Sequence, residues 1–377
     1  MSKFYRRSPN LVFYWSGKKL LFENYYARTK VQAAPLLFQL LSFFDTWRTA
    51  VSFEDHFPNI DPAILRAGLS VLVRHGLLEC SGKRRKGPSP RAMASWEKWN
   101  PAAGFLHFST KDGAYRSDLD LLLRRQQARA KSSPMPPPVK RYPGATQVAL
   151  PAIQRNAEFP QVLLARRTWR RFSSRPVELS ALSTLLGLSF GVQWWVNLRK
   201  VGRVALKTSP SGGARHPIEI YVLARRVAGL RPGLYHYRAD KHCLELLKRG
   251  ASSRQIVRYL AGQKWWGTAA ALILMTADFR RTQWKYESPR AYRVVLIDAG
   301  HLCQTFCLVA TWLGLAPFCT MAFADSLIEA DIGVDGVSES VLYAAGIGAL
   351  PSGQKWAPWP VHFQAGTRSP NPSFTQG

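Results

Sequence analysis

Apolar positions along the chain repeat with two periods, and these mark out its elements. Between Val294 and Phe318 the residues are Leu, Val, Ile, Ala, Phe and Cys almost throughout, broken by Asp298, His301 and Gln304 at three-residue spacing. That pattern predicts a helix apolar nearly all round, with three polar residues near one face, closed by Gly314. The polar residues argue against a membrane span and for the central buried helix of a domain. Ala33 to Phe44 is a second helical pattern. A third starts at Asp61, a capping residue followed by Pro62, and places Leu65, Leu69, Leu72 and Val73 on one face before Gly76. Ser180 is the expected N-cap of a helix over Ala181–Ser189.

Other stretches read as strands. Val12–Trp15 alternates as an edge strand or extended arm, Val222 and Leu223 lie in a β-branched and aromatic run, and residues 230–247 have the pattern of a hairpin. "AAALILMTADF", "APFCTMAF" and "ESVLYAAGIGAL" are continuous apolar runs expected for buried strands. "LVRHGLLEC", followed by the basic turn "SGKRRKGPSPR", reads as the last helix of a winged helix entering its wing. That helix carries no basic stripe, so docking of a protein or peptide is favoured over DNA. Asp118 to Lys131 reads as a charged helix, and "SSPMPPPVKRYPGA" is an extended, proline-rich linker. The expected organisation is therefore a small winged-helix-like module with its connecting segment over 1–131, a linker over 132–150, a catalytic domain over 151–365 and a tail over 366–377.

Composition changes this picture in two places. A formal charge of +29 gives the surface a field that attracts anionic partners, acidic peptides among them. Five cysteines in 377 residues do not make a disulfide framework, and Arg6, Arg7, Lys18 and Lys19 interrupt any signal-peptide pattern, so a reducing cytoplasm is the expected location. Cys303 and Cys307, four apart, are expected to be packed thiols and not a metal site.

Two clusters carry candidate chemistry. Arg166, Arg167, Thr168, Arg170 and Arg171 bring guanidinium forks around a hydroxyl, which suits a phosphate monoester. In "TSPSGGARHPIEIYVLAR", Gly212 and Gly213 let backbone approach a ligand closely, and His216 is either a general base or a structural hydrogen-bonding group.

The string "WKYESPRAYRVVLIDAGHLCQTFCLVATWLGL", with "PSGGARHPIEIY", resembles the SagB-type dehydrogenases. These flavin enzymes of the nitroreductase superfamily oxidise azoline rings in ribosomally made peptides. The resemblance implies an α+β fold with a mainly antiparallel central sheet flanked by helices, one FMN, and a homodimer with the flavin at its interface. It places the phosphate and ribityl contacts on Arg166, Thr168 and Arg170, where Thr replaces the usual Ser. It places the flavin loop on Ser209, Ser211, Gly212 and Gly213, the flavin edge on Thr320, Met321 and Ala322, and a further phosphate contact on Lys355. It assigns catalysis to Lys285 and Tyr286: an azoline loses two hydrogens, a hydride to flavin N5 and a proton to a base, which Lys or a Lys-activated Tyr can be. Cyclodehydratase proteins are the implied partners. The alternatives are an NAD(P)H-dependent reductase of nitro compounds or quinones and a non-catalytic scaffold binding a leader peptide.

Overall fold

The computed structural model describes residues 3–59, 61–81, 90–113, 157–198 and 202–353, with a few single positions between 121 and 131. The proline-rich linker, most of the charged helix before it, most of the basic turn and Lys355 lie outside the described residues. Two compact units emerge, each built from discontinuous chain. The first comprises Met1–Asp112, Ala277–Leu296 and Gly333–Ser340; the second comprises Gly113–Thr276, Ile297–Ile332 and Val341–Gly377.

In the first unit, helices Pro35–Phe43, Ala50–His56 and Pro62–Arg74 accompany a three-stranded antiparallel sheet with Phe4–Arg7 between Arg48–Thr49 and Leu78–Cys80. This is the winged-helix order of elements. The Asp61 carboxylate accepts from the Ala63 N–H at 2.7 Å, with Pro62 opening the helix. Leu65, Leu69 and Leu72 then share the buried face with Leu40, Phe44 and Phe53. The N-terminal arm is a meander, Leu11–Ser16, Lys19–Asn24 and Thr29–Gln32, whose Phe22 joins the same core.

Residues 96–109 supply a second, aromatic core. Trp96, Trp99, His107 and Phe108 pack with Phe279 and Tyr292. The Trp96 indole N–H donates to the Val337 carbonyl at 2.8 Å, and His107 Nδ1 meets the Tyr292 hydroxyl at 2.9 Å. These two bonds satisfy polar groups that an aromatic core would otherwise strand.

The second unit contains a six-stranded sheet. Its spatial order is Cys243–Arg249, Gly233–Arg238, Ile218–Ala224, Ala271–Asp278, Glu339–Ala349 and Leu315–Thr320. The pairs at both ends of this order are antiparallel, as are Ile218–Ala224 and Gly233–Arg238. The predicted strands and the 230–247 hairpin are present. Gly346 permits a close approach, since a Cβ there would stand 2.5 Å from the Phe318 ring. Trp266 stacks on the same ring at 4.5 Å between centroids.

The central helix runs from Tyr292 to Trp312 and contributes its first residues to the first unit and the rest to the second. Val295, Ala299, Leu302, Cys303, Phe306, Cys307 and Ala310 form its buried stripe, at helical spacing. Gly314 follows with φ +68°. Two sequence expectations need correction. Asp298, His301 and Gln304 do not share an environment: Asp298 is buried, whereas the other two are exposed. Three-residue spacing turns by about 60° per step, so 298 and 304 diverge. Ser180 is not an N-cap, because helix Leu179–Phe190 begins directly after the short strand Val177–Glu178 and leaves no capping loop.

His107 makes the first unit acid-sensitive. Complete burial, with a smaller effect of nearby Lys111, holds its imidazole well below the ordinary value of 6.5. Below pH 6.5 the unfolded chain takes up a proton that the folded chain refuses, so stability falls with acidification, at most by about 1.4 kcal/mol per pH unit. His107→Gln, which keeps an amide for Tyr292, should flatten the urea-midpoint profile between about pH 5 and 7. An unchanged slope would assign the acid sensitivity to other groups.

Candidate active site

The loop after strand Gly202–Leu206 has an unusual backbone. Gly213, Ala214 and His216 have φ of +62°, +54° and +44°. Only the first is a glycine, so the other two require external support. Asp298 supplies it from the central helix. Its Oδ2 accepts from the Ser211 hydroxyl at 2.5 Å and its Oδ1 from the Gly212 N–H at 3.3 Å. Ser211 Oγ in turn accepts from the His216 N–H at 2.9 Å. Two turns further along the helix, Thr305 Oγ1 lies 2.7 Å from Ser209 Oγ. Three of the four predicted loop residues, Ser209, Ser211 and Gly212, are thus held by two helix side chains. Burial pushes the Asp298 carboxyl above its usual range, with the bonds from Ser211 and Gly212 opposing that shift.

The arginine cluster follows helix Glu158–Ala165. Arg167 is tied to the helix end, donating to the Leu164 and Arg166 carbonyls. The chain then runs beside the sheet: the Trp169 N–H donates to Pro317 and the Ser173 N–H to Ala349, each at 2.9 Å. Trp169 is buried, which leaves Arg166, Thr168 and Arg170 half-buried. Burial lowers the affinity of the Arg170 guanidinium for its proton, and among the described residues no carboxylate or hydrogen-bond acceptor meets it. Such a cation is poised for an external anion.

At the end of strand Leu315–Thr320, Met321 is exposed and the Ala322 carbonyl accepts from Gln263 Nε2 at 2.8 Å. Sequence reasoning missed Gln263, Asp298 and Thr305 as supports. Asp298 stood out in an apolar helix, but nothing in the chain pointed to its partners. In the same unit the sulfurs of Cys303, Cys307 and Cys319 converge to within 4.8 Å. Hydrogen bonds from Cys303 and Cys307 pull the Cys319 thiol down, with Tyr343 and Arg166 adding to the effect against the opposing pull of burial.

Lys285 and Tyr286 belong to the first unit. Both N–H groups donate to the Thr282 carbonyl, and the Trp99 indole donates to the Tyr286 carbonyl at 3.2 Å. Lys285 is exposed, and its Nζ lies 5.5 Å from the centroid of the half-buried Tyr286 ring. A groove of ≈ 1150 Å³ also lies in the first unit, bordered by Arg6, Asn24, Arg74, Glu79 and Glu97; among the described residues, none of those singled out for FMN lines it.

Residues 163–349 match the nitroreductase family. The chain is 31% identical over 183 residues to a putative nitroreductase, MJ1384, of Methanocaldococcus jannaschii, a match spanning 48% of this chain and 87% of that protein. It is 31% identical over 175 residues to the trifolitoxin-processing protein TfxB of Rhizobium leguminosarum bv. trifolii, spanning 45% and 46%. It is 27% identical over 132 residues to the microcin B17-processing protein McbC of Escherichia coli, spanning 33% and 48%. The chain belongs to the nitroreductase family, whose members are generally flavin-dependent oxidoreductases. It spans about half the length of the two peptide-processing relatives.

Asp298 offers a direct test of the loop support. Asp298→Ala strands the Ser211 hydroxyl and the Gly212 N–H, and urea denaturation should show a loss of about 1–3 kcal/mol. The raised carboxyl means that the folded chain retains a proton the unfolded chain releases above 3.8. Stability from this residue therefore declines as pH rises from 3.8 through the folded value. Asp298→Asn should abolish that decline; a variant as stable as wild type with the same pH profile would refute the clamp.

Proposed function

We propose that this chain is an FMN-dependent dehydrogenase that converts azoline to azole rings in a ribosomally made peptide. The observation carrying the flavin reading is Arg170, half-buried beside Thr168 and without a counter-charge among the described residues. The peptide reading draws on the processing roles in the names of TfxB and McbC and on the winged-helix order of the first unit.

In this reading Arg166, Thr168 and Arg170 hold the FMN phosphate by charge-assisted bonds. Ser209, Ser211, Gly212 and Gly213 form the loop against the flavin, and Met321 and Ala322 border its edge. When bound, FMN supplies the acceptor for a hydride. Lys285 or Tyr286 takes the ring proton, with substrate covering the exposed lysine. Substrates of this kind are made by a cyclodehydratase, which is the expected partner activity, and a cytoplasmic location agrees with five free thiols. Leu296, Ile297 and Trp312, exposed on the central helix, are the proposed contacts of a homodimer.

Arg166→Ala or Arg170→Ala removes a contact worth about 1.5–3 kcal/mol, so FMN should be lost first and activity should return with excess cofactor. Lys285→Ala and Tyr286→Phe should keep FMN but slow single-turnover flavin reduction by an azoline peptide ~100- to 10,000-fold. Wild-type rates in both would remove these residues from the chemistry and favour an NAD(P)H-dependent reductase of small molecules. A protein that takes up no flavin on reconstitution would leave only the peptide-binding scaffold.

Light scattering of the FMN-loaded protein should give the mass of a dimer, and Ile297→Glu should shift it towards the monomer. A wild-type monomer at micromolar concentration would exclude the dimer.

A further inference from the structure

Two elements of the second unit aim sulfur at one point. Cys303 and Cys307 are four residues apart on the central helix, so their side chains share a face. Cys319 comes from strand Leu315–Thr320. The three sulfurs lie within 4.8 Å of one another, and the Tyr343 hydroxyl stands 3.4 Å from Cys319 Sγ. Among the described residues this is the single cluster of three potential metal-ligating side chains.

We infer that Cys303, Cys307 and Cys319 bind a thiophilic d10 cation, Zn2+ foremost, in a three-thiolate site. Bond length, access and charge support this. A Zn–S bond of about 2.3 Å places two sulfurs on a tetrahedral ion about 3.8 Å apart, so the side chains close on the ion with small rotations. Cys303 and Cys307 are buried whereas Cys319 is partly exposed, which gives an ion an entry side. Three thiolates around Zn2+ carry one net negative charge, and the Arg166 guanidinium, close enough to act on Cys307 and Cys319, opposes it. The Tyr343 hydroxyl either completes the coordination or donates to a sulfur, as groups around metal ligands do. Binding displaces the thiol protons, so affinity falls with acidification. The ion would staple the central helix to the strand that ends at Thr320. Packing of thiols as small apolar groups is the competing account, and it requires no ion.

The test uses the full chain, reduced, stripped with a chelator and kept anaerobic. Cd2+ is titrated in, and the ultraviolet thiolate-to-cadmium charge-transfer band is followed, with Zn2+ as competitor. One equivalent should saturate the band, and a large excess of Zn2+ should suppress it. Cys80→Ser with Cys243→Ser should leave the titration unchanged, whereas Cys319→Ser or Cys307→Ala should weaken binding at least about tenfold, since even groups outside the ligand set cost 10- to 100-fold. The titration of wild type and of the Cys80/Cys243 double variant stands even if a core variant fails to fold. No band in either protein, or an undiminished band in folded Cys319→Ser, would overturn the site. Neither result depends on whether the protein binds flavin.

Discussion

A carboxylate buried on an apolar helix is the constraint on which the candidate site depends. Asp298 occupies a position where an unpaired charge would be costly, and the cost is offset only by donors brought to it. Those donors are the Ser211 hydroxyl and the Gly212 N–H. The helix thereby fixes a loop whose own backbone preferences oppose its conformation, with Ala214 and His216 both at positive φ. The relation is mutual: the loop solvates the carboxylate and the carboxylate shapes the loop. Thr305 extends the same support to Ser209.

The sheet supplies the other half of the scaffold through close packing. Without a side chain at Gly346, the Phe318 ring lies flat enough to stack on Trp266, and Trp266 in turn donates its indole N–H to the Trp169 carbonyl. Trp169 is the buried residue between Thr168 and Arg170. A chain of contacts therefore runs from a glycine in a central strand to two half-buried polar side chains. Arg170 is held at the surface of the core beside that aromatic residue, and among the described residues no carboxylate meets it, which leaves its charge available.

The first unit follows a different logic. Its first core is aliphatic and aromatic in the ordinary way, whereas its second core packs indoles, a phenol and an imidazole together. Each polar tip there needs an aimed partner, and the partners come from segments distant in the chain, Val337 and Tyr292. Such bonds contribute modestly to stability when made but are costly to break, so they specify the arrangement more than they strengthen it.

The sequence by itself determined the elements whose causes are local. Helical spacing placed Leu65, Leu69 and Leu72 on one buried face, Asp61 and Pro62 announced a helix start, and apolar runs marked the inner strands. It also carried the resemblance that led to the nitroreductase family. Tertiary structure decided whatever depends on a partner far away in the chain. It made Asp298 a loop clamp while turning His301 and Gln304 outward, because a helix precesses at three-residue spacing. It brought Cys319 to a pair of cysteines twelve and more residues earlier, which no spacing rule within the helix contains. It exposed Lys285, a residue that local pattern could not assign to surface or core. Periodicity reports which face of an element is buried; what that face meets is set by the three-dimensional packing of elements that the chain itself leaves far apart.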